Sequence, residues 1–182
     1  MKTIEVYMLT IGLYGILDIL VQKNSSTIFH SGTSDRTYLP VIVSFIANLA
    51  AIPAEWTLMD RGNNHAMMIA GFCICLIATI IRVSAQLNLK HAFSTRVELQ
   101  EDHALVKTGL YRFIRHPMYL AIIMLLAGAD IMLRAEISWI FTLVSVYFII
   151  LRIRKEETFL KLRLEGYSEY VKVTRKFIPF IY

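Results

Sequence analysis

Apolar residues fall into five runs along the chain, about Ile4–Val21, Tyr38–Leu58, Met67–Leu87, Met118–Leu133 and Ile137–Leu151, with polar or charged stretches between them. A bilayer core takes roughly 20 helical residues to cross, and each of the first three runs comes close to or reaches that length. The last two hold only 16 and 15 residues, which at ~1.5 Å rise per residue fall short of a ~30 Å core. The pattern predicts an all-α integral membrane protein with about five membrane helices. The last two are expected as a short helical hairpin that tilts, thins the bilayer or does not fully cross, and both outer ends of the pair emerge on one side. Residues 1–87 then form a three-helix membrane region. Residues 88–182 form a second region, with a polar connection, the hairpin and a C-terminal surface helix.

Composition agrees with a lipid solvent. A 56% hydrophobic fraction and a mean hydropathy of +0.54 over 182 residues exceed what a soluble domain of this size can bury. The first run is interrupted by Glu5 and Asp18, is preceded by one basic residue, Lys2, and lacks a following small-x-small site. It is therefore expected as a retained helix and not as a cleaved signal.

Charge sets the expected orientation. Of the 19 Lys and Arg residues, fifteen fall on the side of the 88–117 connection and the C-terminal tail, three (Lys2, Arg61, Arg134) on the other, and Arg82 lies within a helix. The positive-inside rule places the basic side, with the C-terminal region, in the cytosol. The net charge of +5 is then a matter of topology and of attraction to anionic headgroups, with no nucleic acid implied.

Cys73 and Cys75 stand two apart on a helix, point to different faces and lack acidic or His neighbours, so they read as packing residues with no metal or redox role. Asp18, Asn48, Glu55, Arg82 and Gln86 lie inside the predicted helices. Facing lipid would be costly, so they are expected to face one another or a cavity, chiefly as interhelical contacts. Arg82 and Gln86, four apart on one face, are the pair to watch.

Candidate chemistry gathers in the second half. In "TGLYRFIRHPMYLA" (Thr108–Ala121), Pro117 suits the first position of a helix and His116 falls at its cap. The free N–H groups and the positive dipole end make an anion site there, with Arg112, Arg115 and His116 adding charge. Simple positive-inside anchoring accounts for the same cations equally well. At the end of the fifth run, Arg152, Arg154 and Lys155 precede Glu156 and Glu157, and Arg152 and Glu156 share a face at i,i+4. The hairpin brings this end beside His116. Such a cluster suits a small zwitterion bearing hydroxyls and an aromatic ring.

"HALVKTGLYRFIRHPMY" (His103–Tyr119) followed by "RIRKEETFLKLRLEGYSEY" (Arg152–Tyr170) closely resembles the isoprenylcysteine carboxyl methyltransferase family. That family shares this pattern with membrane phospholipid methyltransferases. The resemblance runs from roughly His91 to Pro179, and in length the chain looks like a short prokaryotic-sized member. It implies a membrane-embedded enzyme that uses S-adenosylmethionine to methylate the carboxylate of a lipophilic, isoprenylcysteine-like substrate entering from the bilayer. It also implies a place in the cell membrane of a prokaryote or the endoplasmic reticulum of a eukaryote. By motif, His103, Ala104, Leu105 and Val106 form one wall of the cofactor site, and Tyr111, His116, Pro117, Met118 and Tyr119 another. Glu156 contacts the cofactor, and Arg152 faces the substrate as the catalytic residue. Glu98 occupies a place where some members carry Gln, and "LEGY" (Leu164–Tyr167) stands where many have a longer "FGxxY".

Three other readings compete. Amine methylation, on a phospholipid headgroup or a small lipophilic molecule, would use similar cofactor motifs but require a base and a bell-shaped pH profile. A nicotinamide-dependent membrane reductase would need more arginines and a longer helical core. A scaffold or transporter subunit would leave the order of the C-terminal motifs unexplained.

Overall fold

The computed structural model describes residues 2–23, 38–90 and 105–177. Among them it is helical throughout: α1 (Thr3–Lys23), α2 (Tyr38–Leu58), α3 (His65–Lys90), α4 (Pro117–Leu133), α5 (Trp139–Arg163) and α6 (Tyr167–Val173), with a 3-10 turn over Gly109–Arg112. The first three helices are long and apolar enough to cross a membrane; α4 is apolar but shorter. The charged stretch after Leu151 continues α5 without a break, as its helical spacing predicts.

The central seam joins α3 to α4, and small residues let the two backbones meet. A Cβ on Gly71 would lie 2.7 Å from the Cα of Met132, and one on Gly128 would lie 2.8 Å from Cys75 Sγ. Without a hydrophobic drive between helices in lipid, close backbone approach is what holds such a pair. Cys75 is buried in this seam while Cys73 is exposed, in keeping with a packing role for the first.

A proline inside α2 leaves a carbonyl that another helix then uses. Pro53 lacks the N–H that would bond Leu49 within α2, and the Tyr7 hydroxyl of α1 donates to the Leu49 carbonyl at 2.8 Å. Ahead of Pro117, which opens α4, the Phe113 carbonyl accepts the Arg175 N–H at 3.1 Å.

The polar residues inside the helices do face one another. Asp18 of α1 accepts from Arg82 Nε at 2.7 Å and from Gln86 Nε2 at 2.6 Å, both on α3. The Asn48 amide of α2 donates to the Ser138 carbonyl at 3.0 Å and to Thr142 Oγ1 at 2.8 Å, and that hydroxyl donates to Asp130 at 2.6 Å. Glu55 closes the α4–α5 turn. Its carboxylate accepts the N–H groups of Glu136, Ile137 and Ser138 at 2.6, 3.0 and 2.9 Å and the Ser138 hydroxyl at 2.9 Å, and pairs with Arg61 at 3.2 Å.

Candidate active site

Opposite that turn, the start of α4 meets the outer part of α5. His116 is the N-cap of α4 and Pro117 its first residue, so the N–H groups of Met118 and Tyr119 have no acceptor within the helix. Tyr119 turns toward α5, where its hydroxyl accepts from Arg152 Nε at 2.7 Å and donates to Glu156 Oε2 at 2.9 Å. Arg152 and Glu156, four residues apart, are thus joined through a phenol from the neighbouring helix. Only Oε2 of Glu156 is engaged among the described residues, and all three side chains are half-buried.

Glu157 faces elsewhere. Adjacent helical residues point about 100° apart, and Glu157 accepts from Arg115 Nε at 2.9 Å and lies 3.3 Å from His116 Nε2. Lys176 Nζ stands 3.9 Å away. Burial by itself would raise this carboxyl, but the hydrogen bonds from His116 and Arg115, with the Arg115 charge, outweigh it and hold the pKa at about 2. Glu157 is then ionised and can only accept, so Nε2 of His116 carries the hydrogen.

The backbone beyond α6 seals this arrangement. Residues 113–116 run parallel to residues 175 and 176: Arg115 N–H donates to the Arg175 carbonyl at 2.7 Å and His116 N–H to the Lys176 carbonyl at 3.1 Å. Arg115 also donates to the carbonyls of Thr174 and Val171. Arg115, expected among the cations of the anion site, is a fastener between the α4 entrance and the tail.

Tyr111 sits in the 3-10 turn, buried, with its carbonyl accepting the Tyr170 hydroxyl at 2.6 Å. Burial pushes its phenol well above the usual range and the nearby Glu156 carboxylate pushes it further, so Tyr111 stays a neutral donor. The turn is tied to α3 by Gly109, which has φ +57 and packs so closely on Asn88 that a side chain there would overlap its amide.

The structure thus brings Tyr111, His116, Pro117, Met118, Tyr119, Arg152 and Glu156 to one end of the α4–α5 pair. Leu105 and Val106 are irregular, half-buried chain shortly before the 3-10 turn. Glu98, His103 and Ala104 lie outside the described residues. Sequence reasoning missed Glu157 and Tyr170. The doubled Glu was the available signal for the first, because neighbouring carboxylates on a helix cannot serve one partner.

The model of the isoprenylcysteine carboxyl methyltransferase (ICMT) family matches residues 69–162, from α3 through nearly all of α5. The chain belongs to the ICMT family. It is 32% identical over 115 residues to a probable protein-S-isoprenylcysteine O-methyltransferase of Oryza sativa subsp. indica, which covers 61% of this chain and 60% of that protein. It is 34% identical over 120 residues to the protein-S-isoprenylcysteine O-methyltransferase of Saccharomyces cerevisiae, covering 62% and 49%. The aligned region thus spans about half to three fifths of the length of these curated relatives. Among solved structures, the eukaryotic intramembrane Ras methyltransferase ICMT superposes with a TM-score of 0.62 at 26% identity, covering 98% of this chain and 68% of that one. The ICMT match includes every residue of the cluster around Tyr119, while α1 and α2 lie outside it.

Proposed function

We propose that the chain is an S-adenosylmethionine-dependent methyltransferase that esterifies the carboxylate of a lipophilic, isoprenylcysteine-like substrate reaching it from the bilayer. On this reading α4 and α5 form a fourth and fifth membrane element, and the end bearing Arg152 and His116 faces the cytosol. The observation that carries the proposal is the Arg152–Tyr119–Glu156 chain beside the open start of α4, in a member of the ICMT family.

The donor set suits the cofactor. The unpaired N–H groups of Met118 and Tyr119 favour a carboxylate. Glu156 offers Oε1 to hydroxyl or ammonium protons. His116 gives Nε2–H to Glu157, so in the neutral ring Nδ1 is an acceptor and suits the ammonium better than the carboxylate first expected for it. Tyr111 packs alongside as a neutral phenol. Glu98, His103, Ala104, Leu105 and Val106 would line the opposite wall. S-adenosylmethionine, when bound, supplies an electrophilic methyl group on a sulfonium.

A carboxylate acceptor is already ionised at neutral pH, so the protein needs no base. Its task is alignment and exclusion of water. Arg152 pairs with the substrate carboxylate, and Tyr119 restrains the guanidinium by accepting from its Nε. Transfer would form the oxygen–methyl bond and break the sulfur–methyl bond, turning sulfonium and carboxylate into neutral thioether and ester, and a half-buried site would favour that loss of charge over water.

The test is methyl transfer from labelled S-adenosylmethionine to an N-acylated S-prenylcysteine, read as base-labile methyl ester. A plateau in rate from pH 6 to 8 (on the order of the range where a carboxylate of ordinary pKa stays ionised) supports the carboxyl reading. Transfer only to a phosphatidylethanolamine amine, with a bell-shaped profile, would replace it with amine methylation.

A further inference from the structure

The outer part of α5 looks like mixed charge in sequence but is sorted by the fold. Ile153, Glu156, Glu157 and Leu160 form its inner face, at spacings of three and four. Both acids turn inward there, Glu156 to Tyr119 and Glu157 to Arg115 and His116. The outer face carries Arg154, Lys155, Thr158, Lys161, Leu162 and Arg163, all exposed, and no acid.

Apolar groups are set among these cations. Phe159 is 55% and Leu162 79% exposed, and Arg163 lies over the Phe159 ring at 5.8 Å. Arg154, Lys155, Thr158, Phe159 and Leu162 line a shallow groove of about 410 Å³. Along the chain, the next acids after the helix are Glu165, which is exposed, and Glu169, which is paired with Lys172 at 2.7 Å. Neither falls on this face within α5.

We infer that the outer face of α5 from Arg154 to Arg163 is a binding surface for anionic lipid headgroups, with Phe159 and Leu162 inserted at the boundary of the acyl chains. The face begins only three residues after the last apolar run ends at Leu151, which puts it at headgroup depth. Its charge has one sign because the fold has withdrawn both carboxylates. Cations near an anionic leaflet are each drawn to it, and exposed Phe and Leu side chains add apolar burial. An acidic peptide would use the cations but leave the two apolar side chains in water. The surface is separate from the cluster around Tyr119 and does not depend on the proposed reaction.

The experiment titrates short-chain phosphatidylglycerol and short-chain phosphatidylcholine into the detergent-purified full chain. The same titration is run on R154E/K161E, on F159S/L162S and on wild type at raised salt. The expected result is saturable binding of phosphatidylglycerol at least about tenfold tighter than phosphatidylcholine, weakened by about tenfold or more in R154E/K161E, and by salt. F159S/L162S should weaken it by a smaller factor. S-adenosylmethionine affinity, measured alongside, should be unchanged in both variants, which reports an intact fold and separates this surface from the site. Equal binding of the two lipids, unaltered phosphatidylglycerol binding in R154E/K161E, or tighter binding of an acidic peptide than of phosphatidylglycerol would each overturn the inference.

Discussion

The two ends of the α4–α5 pair hold carboxylates in opposite conditions. At the turn, Glu55 receives three backbone N–H groups and a hydroxyl and pairs with Arg61, so its lone pairs are spoken for. At the other end, Glu156 receives one phenol among the described residues, at Oε2, next to an arginine that donates to the same phenol. A saturated carboxylate fastens elements together, whereas a partly satisfied one, half-buried among donors, is equipped to take a ligand. Glu157 stands beside Glu156 in sequence but belongs with Glu55 in kind.

The sharpest way to break this contrast is to remove the two side chains joined to Glu156. Arg152→Ala and Tyr119→Phe are expected to lower methyl transfer, the first by about 10²–10³-fold, in the range for losing one donor aimed at developing or vanishing charge. The unfolding midpoint should barely move, since neither anchors a turn. Loss of fold in step with activity would put Arg152 on the structural side of the comparison.

Glu55→Ala should do the reverse. Three N–H groups and the Arg61 guanidinium lose their partner, at a cost of roughly 3–5 kcal/mol by denaturant titration in mixed micelles. Cofactor affinity of the protein that remains folded should be unchanged. Between these in character is the α3–α4 seam, where Gly71→Ala forces a Cβ against the α4 backbone and should cost about 1–3 kcal/mol.

Glu157 tests the comparison through pH. Its carboxyl is depressed to about 2 from an ordinary 4.5. A depressed carboxyl contributes stability that is fully present above the unfolded value and lost as pH falls through the folded one. Stability should therefore be flat with respect to this group from neutrality to about pH 4.5 and decline between there and about pH 2. Glu157→Gln should remove that acid limb while still accepting from Arg115, and a limb of unchanged depth would show that other carboxyls carry it. The smallest effect is expected on the surface, where Lys172→Ala breaks an exposed pair with Glu169 and should change stability by less than about 0.5 kcal/mol.

Much of this was legible in the residues because membranes make hydropathy a strict code. Every buried backbone group must be satisfied internally, so apolar runs of sufficient length become helices, and α2 spans the same residues, Tyr38–Leu58, as its run. Pro117 at the start of α4 and His116 at its cap follow from local backbone preference, which needs no tertiary partner. The order of the C-terminal motifs was enough for the family.

Partner choice was another matter. The spacing of Arg152 and Glu156 permits a direct ion pair, and only the approach of α4 puts the Tyr119 hydroxyl between them. Arg115 and His116 are adjacent cations in sequence, and only the parallel run of residues 175 and 176 commits Arg115 to the tail. The sequence by itself determined which segments are helices and which end is cationic, because periodicity, length and charge act locally along the chain. Tertiary structure decided which of two neighbouring glutamates fastens and which stays open, since a 100° step around a helix has no meaning until another element occupies one side of it.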